Sequence, residues 1–142
     1  MSAQIYLGAD HAGFEMKEAI KEFLISKNYS VEDMGTHSSD SVDYPDFAHR
    51  VASKVEEQEG RTGFLFCGSA NGVCITANKH KGIRAGLAWN TEIAELTRLH
   101  NNANILCIPA RYVSIDLAEN MVKRFLSTSF EGGRHQLRVN KI

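Results

Sequence analysis

The sequence predicts an α/β fold: a doubly wound, five-stranded parallel sheet with helices on both faces. Three observations carry that reading. Short apolar runs alternate with amphipathic segments along the whole chain. Hairpin turn signals are few, so successive strands are joined by crossovers and run parallel. The run Thr62-Gly-Phe-Leu-Phe-Cys67 is apolar enough to be a strand buried on both faces.

The elements follow in order. Gln4 to Ala9 is the first strand, and Met16, Ala19, Ile20, Phe23 and Leu24 repeat at helical spacing behind it. Tyr29 to Met34 is the second strand, and a helix fills the gap to Thr62–Cys67, the third. Asn71-Gly72-Val73 opens the next helix. Ile83 to Ala88 is the fourth strand, the helix after it ends at His100-Asn101-Asn102, and Asn104 to Ile108 is the fifth. Ala118, Met121, Val122, Phe125 and Leu126 mark the last long helix; Glu131-Gly-Gly-Arg-His-Gln-Leu-Arg138 then breaks it and restarts a short basic turn. The chain reads as one domain, 1–142, with 130–142 a C-terminal basic segment, because 142 residues suffice for one good core but not two. Such a sheet usually takes the order 2-1-3-4-5, which makes strands one and three neighbours whose connections leave in opposite directions. Ligand is then expected in the crevice outside their carboxyl ends, where this chain carries Asp10-His11 and Cys67-Gly68-Ser69.

Composition excludes several functions. Sixteen Lys and Arg against 17 Asp and Glu give a net charge of -1, which supplies no cationic surface for a nucleic acid backbone. Cys67, Cys74 and Cys107 are an odd number without C-x-x-C spacing, as expected of a reduced, cytoplasmic protein. The start of the chain lacks a basic, apolar leader pattern, and no apolar run approaches a membrane span.

The chemistry concentrates at two places. Cys67 ends an apolar strand and is followed by a small loop, Gly68-Ser69-Ala70-Asn71-Gly72, which leads into a helix. Free N–H groups at a helix start attract phosphate or a developing oxyanion and lower the pKa of a nearby thiol; a buried cysteine beside an ordinary turn is the alternative. A phosphatase loop, C-x5-R, needs arginine where Val73 stands, and zinc lacks both C-x-x-C and H-E-x-x-H spacing. What remains is a thiol or thiolate base, with the Ser69 hydroxyl and loop N–H groups holding an enediolate. Gly8-Ala9-Asp10-His11-Ala12-Gly13 lacks the G-x-G-x-x-G order of a dinucleotide turn; Asp10 and His11 could handle hydroxyl protons, or Asp10 could simply cap the first helix. Arg134 and Arg138 share a helical face and could clamp a phosphate, joined by Arg111, or form a solvated basic tail. His100 either caps carbonyls at its helix end or acts in the site.

Taken together, G-A-D-H-A-G at 8–13, D-Y-P at 43–45, F-C-G-S at 66–69, A-N-K at 77–79, G-I-R-A at 82–85, H-N-N-A-N at 100–104 and E-G-G-R-H-Q-x-R-V at 131–139 resemble the type B ribose-5-phosphate isomerase family. That family includes the allose-6-phosphate and galactose-6-phosphate isomerases. The resemblance implies a Rossmann-like fold and a metal-free, cofactor-free aldose–ketose isomerase that works as a homodimer or a dimer of dimers. It implies Cys67 as the base acting between C2 and C1, Ser69 as the orienting hydroxyl, and His100, with Asp10 nearby, as the residue that opens the furanose ring. Asn101 and Tyr44 would contact the sugar, and His11, Arg111, Arg134 and Arg138 would bind phosphate or the adjoining hydroxyls. Gly68, Ser69, Ala70, Asn71 and Gly72 would donate N–H groups to the enediolate. The common loop is C-G-T-G-x-G, so Ala70 replaces a glycine and disfavours positive φ there; a second branch carries a glutamate base where Val73 stands.

The expected reaction is therefore interconversion of ribose 5-phosphate and ribulose 5-phosphate. Alternatives are a six-carbon phosphosugar isomerase and a non-catalytic phosphosugar-binding module, although the latter has no use for Cys67 or His100. A flavodoxin-like carrier shares the fold class, but Trp89 follows the fourth strand instead of flanking the crevice. His100 leads into the fifth strand and so belongs near the amino ends of the strands, away from Cys67 in the same chain. A two-fold dimer with a shared site is the expected remedy.

Overall fold

The computed structural model describes residues 4–142; the start of the chain, read above for a leader, lies partly outside them. The elements are β1 (Gln4–Ala9), α1 (Phe14–Ser26), β2 (Ser30–Asp33), α2 (Tyr44–Glu56), β3 (Thr62–Cys67), α3 (Asn71–Ala77), β4 (Ala85–Leu87), α4 (Thr91–Leu99), β5 (Ile105–Pro109), α5 (Ile115–Ser127) and α6 (Arg134–Val139). All strand pairs are parallel.

Alternation along the strands sorts side chains into two cores. Ile5, Leu7, Phe64, Phe66, Leu106 and Ile108 point to the face covered by α1, α4 and α5. Tyr6, Leu65, Cys67, Ile105 and Cys107 point to the face covered by α2 and α3. Every residue of β5 is buried, which is why its sequence shows a continuous apolar run rather than an alternation.

The strand order is β2-β1-β3-β5-β4, which corrects the expected 2-1-3-4-5 at one edge. The reason lies in the two strands that exchange places. β5 has five buried residues and takes the interior position, whereas β4 is only Ala85-Gly86-Leu87, half-buried, and occupies the edge. β1 and β3 remain neighbours, so the switch-point crevice survives. The exchange also places the end of β5 directly beside Cys67, with Cys67 opposite Pro109 in the register.

One buried ion cluster joins the layers. Lys17 of α1 has no exposed side-chain surface and donates to Asp33 Oδ2 at 2.6 Å and Glu18 Oε2 at 2.8 Å. Lys21, one turn on, adds a contact of 2.9 Å to the same Asp33 oxygen, and the Gly35 N–H donates to Oδ1 at 2.9 Å. Burial pushes the Asp33 carboxyl up, but the two lysines and the Gly35 N–H outweigh it and bring its pKa down to about 2.

Candidate functional site

Cys67 closes β3, with its side chain on the α2–α3 face and 9% of its surface exposed. Its thiol donates to Asp10 Oδ2 at 3.2 Å, while the Gly13 N–H donates to Asp10 Oδ1 at 3.1 Å. Asp10 does not cap α1, whose N-cap is Gly13 without a side-chain cap; one of its oxygens ties the turn before the helix and the other faces the thiol. The effect on Cys67 corrects the expectation of a depressed pKa. Burial, then the Asp10 hydrogen bond and the Asp10 charge, push the thiol up to about 11, against smaller opposing pulls from the Gly68 and Ala70 N–H groups. Substrate-free Cys67 is a thiol.

The loop after Cys67 keeps the backbone shape that its alanine was expected to disfavour. Ala70 lies at φ 63°, ψ 2°, in the left-handed region, and is fully buried. That conformation costs an alanine about 1 kcal/mol relative to glycine. Gly72 is fixed by a close approach: a Cβ there would sit 2.3 Å from the Tyr44 ring. Tyr44, at the start of α2, therefore lies against the loop and remains 39% exposed. Ser69 Oγ accepts from the Asn71 N–H at a long 3.4 Å.

Arg111 enters from the other side, as a consequence of the strand exchange. The Ala110 N–H donates to Cys67 O at 2.8 Å and the Arg111 N–H to Gly68 O at 3.1 Å. The Arg111 guanidinium passes over Gly68, where a Cβ would meet it at 3.0 Å. Sequence reasoning grouped Arg111 with Arg134 and Arg138; in one chain it instead belongs to the Cys67 crevice. His11 completes this side. The Val42 N–H donates to its Nδ1 at 3.2 Å, which leaves Nε2 as the ring's N–H donor, without a hydrogen-bond partner among the described residues.

His100, Asn101, Arg134 and Arg138 lie elsewhere. His100 caps the end of α4, before β5 starts, whereas Cys67 pairs with the last residue of β5. The six residues of β3 separate these ends by about 17 Å. The C-terminal segment folds back to this same end: the Glu131 N–H donates to Leu99 O at 3.0 Å, and the His135 ring stacks on His100 with centroids 4.2 Å apart and planes 14° from parallel. Glu131 Oε2 lies 3.9 Å from His100 Nε2 and 3.8 Å from His135 Nε2. Burial and then the neighbouring His100 lower the His135 pKa, and its Nε2 is buried without a partner among the described residues. His100, Glu131 and His135 offer ligand atoms within 4.8 Å of one another, but parallel rings present their lone pairs side by side and do not converge on one ion. Arg138, one turn beyond Arg134 on α6, donates Nη1 back to Arg134 O at 3.3 Å.

Sequence reasoning missed Glu131, His135 and the Val42 backbone. Glu131 and His135 stood within a quoted motif, but nothing in a single sequence indicates that this segment returns to the end of α4. The chain thus carries two clusters of candidate site residues at opposite ends of the sheet. One is a thiol–carboxylate pair with an N–H-rich loop, a tyrosine, a histidine and an arginine. The other is a histidine stack flanked by two arginines.

Comparison with known proteins places this arrangement. The family model described as Ribose/Galactose Isomerase matches residues 5–142. The chain is 42% identical over 139 residues to the ribose-5-phosphate isomerase B of Escherichia coli, covering 98% of this chain and 93% of that one. It is similar to the crystal structure of a ribose 5-phosphate isomerase from Thermotoga maritima, with TM-score 0.96, 46% identity, and coverage of 99% of this chain and 97% of that one. It is likewise similar to ribose-5-phosphate isomerase B from Mycoplasma genitalium with bound ribulose-5-phosphate, with TM-score 0.96, 43% identity, and coverage of 99% and 94%. With motifs, fold and length all in agreement, the chain belongs to the ribose/galactose isomerase family.

Proposed function

We propose that this protein interconverts ribose 5-phosphate and ribulose 5-phosphate through a cis-enediolate. The observation that carries the reading is the Cys67–Asp10 pair, a thiol hydrogen-bonded at 3.2 Å to a carboxylate at the mouth of the β1/β3 crevice. The similarity to isomerases of this substrate, one of them bound to ribulose-5-phosphate, supports the choice of sugar.

In the proposed cycle the thiol proton passes to Asp10, and the thiolate takes the C2 proton of the open-chain aldose. The C2–H electron pair becomes the C1=C2 double bond and the carbonyl electrons move to O1. Gly68, Ser69, Ala70, Asn71 and Gly72 surround this oxyanion with N–H groups, aided by the Ser69 hydroxyl. Return of the proton to C1, with a proton shifting from O2 to O1, leaves the ketose. His100 opens the furanose ring beforehand; Tyr44 and Asn101 hold sugar hydroxyls; His11, Arg111, Arg134 and Arg138 hold phosphate.

These roles need the two clusters in one place, which a single chain does not provide. A homodimer with two-fold symmetry brings the His100 end of one subunit to the Cys67 crevice of the other and forms two equal sites. The chain has no helix long and apolar enough to cross a membrane among the described residues, and we place its work in the cytoplasm.

The test is kcat/KM measured side by side for ribose 5-phosphate, allose 6-phosphate and galactose 6-phosphate. Ribose 5-phosphate should be the best substrate. A higher value for either six-carbon sugar would overturn the substrate assignment, and no turnover of any would overturn the enzyme reading.

A further inference from the structure

At the amino end of the sheet, remote from Cys67, a cleft of about 570 Å³ opens between the ends of α2 and α5 and the segments that lead into β3, β4 and β5. Its volume falls in the range of small-molecule sites. It shares no residue with the crevice described above. Three arginines, from three different segments, line it: Arg61, Arg84 and Arg98.

Their partners differ. Arg61 is committed, with Nη1 donating to Lys54 O at 2.8 Å and to Glu57 Oε2 at 3.1 Å. Arg98 meets only neutral acceptors: Asn102 Oδ1 at 3.0 Å and Ala103 O at 2.7 Å through Nη1, and Thr128 O at 3.3 Å through Nε. Arg84 donates Nε to Asn102 O at 2.8 Å, and its terminal nitrogens make no hydrogen bond among the described residues. Neither Arg84 nor Arg98 forms an ion pair among those residues, although both are partly buried and close enough that burial and then the Arg84 charge lower the pKa of Arg98. Of the acidic residues on the rim, Glu56 already accepts from His80 Nδ1 at 2.9 Å and from the Gly82 N–H at 3.1 Å, and Glu59 is exposed.

Two like charges held together and partly desolvated, with only carbonyl dipoles around them, are unfavourable until an anion joins them. Guanidinium groups match phosphate oxygens in pairs. We propose that this cleft is a second anion site, distinct from the isomerase crevice, which takes a phosphate group between Arg84 and Arg98. The phosphate belongs either to a small phosphorylated molecule or to free inorganic phosphate. Both arginines also hold Asn102, two residues beyond His100, so the occupied cleft abuts the turn that carries that histidine.

The experiment follows the arginine Nε–H resonances of the intact protein by NMR during titration with inorganic phosphate and, separately, glycerol 3-phosphate, at constant ionic strength against a chloride control. It is run in the wild type and in the Arg134→Ala/Arg138→Ala variant, in which two of the four residues proposed to hold the substrate phosphate are removed and binding there is weakened. Saturating shifts of Arg84 and Arg98 are expected in both proteins. Tighter binding of glycerol 3-phosphate assigns the site to a phosphate ester, and equal or weaker binding assigns it to inorganic phosphate. Arg84→Gln should weaken the binding by at least about tenfold. Thr128→Glu, which brings a carboxylate to the cleft, should abolish it while raising Tm. Shifts confined to Arg134 and Arg138, or shifts matched by chloride, would overturn the proposal without touching the isomerase reading.

Discussion

In the proposed mechanism Cys67 is a base that rests as an acid. With its pKa raised to about 11 by burial and by Asp10, the thiol form dominates at pH 7 in the free protein. In the proposed cycle the proton therefore leaves before C2 is attacked, and Asp10 Oδ2 is the acceptor in contact with it. Cys67→Ala should lower kcat by about 10²- to 10⁴-fold with KM little changed, since a base acts on the transition state more than on ground-state binding. A variant that kept more than about a tenth of kcat would point to another base. Asp10→Asn removes a negative charge and a charged acceptor, so the Cys67 pKa should fall from about 11 toward the ordinary value near 9. The pH dependence of alkylation at the Cys67 peptide, followed by mass spectrometry, reads this directly, and a midpoint that stays or rises would contradict the coupling. The pair itself was only half legible in the sequence. The spacing put both residues at strand ends beside one crevice, but whether the loop N–H groups or the carboxylate would dominate the thiol depended on where the carboxylate oxygen points.

At the scale of elements, the Asp33 cluster pins α1 to the end of β2. The pKa of Asp33 is depressed, so its contribution to stability is present above about pH 4 and is lost as pH falls toward about 2. That contribution is on the order of 1–2 kcal/mol once solvent screening is allowed for. Asp33→Asn should lower the urea midpoint at pH 7 and flatten the loss of stability between pH 4 and 2, because the remaining amide does not titrate. An unchanged acid limb would show that other carboxylates govern it. Elements were also where sequence reasoning did best and then stopped. The strands were legible from apolar runs, with ends shifted by a residue or two. The exchange of β4 and β5 was not legible as topology, although its cause was present in the sequence: Ile105-Leu-Cys-Ile-Pro109 is more apolar than Ala85-Gly-Leu87 and competes better for the interior position. The left-handed Ala70 illustrates the opposite case, in which surrounding packing overrides a residue's own preference.

At the scale of the whole molecule, the two clusters at opposite ends of the sheet make the assembly part of the proposed catalyst. His100 before β5 and Cys67 at the end of β3 were readable as opposite ends from the order of elements alone; the histidine stack and the return of Glu131 to Leu99 were not, because they depend on where a glycine-broken tail folds. The most direct test unfolds and co-refolds Cys67→Ala with His100→Ala, each inactive alone, and measures isomerase activity after mass spectrometry has confirmed subunit exchange. Random pairing makes about half the dimers mixed, and each mixed dimer holds one intact site out of two, so roughly a quarter of wild-type activity should return. Activity that stays at the level of the single variants, with mixed dimers present, would show that both residues act within one chain and would contradict the shared site.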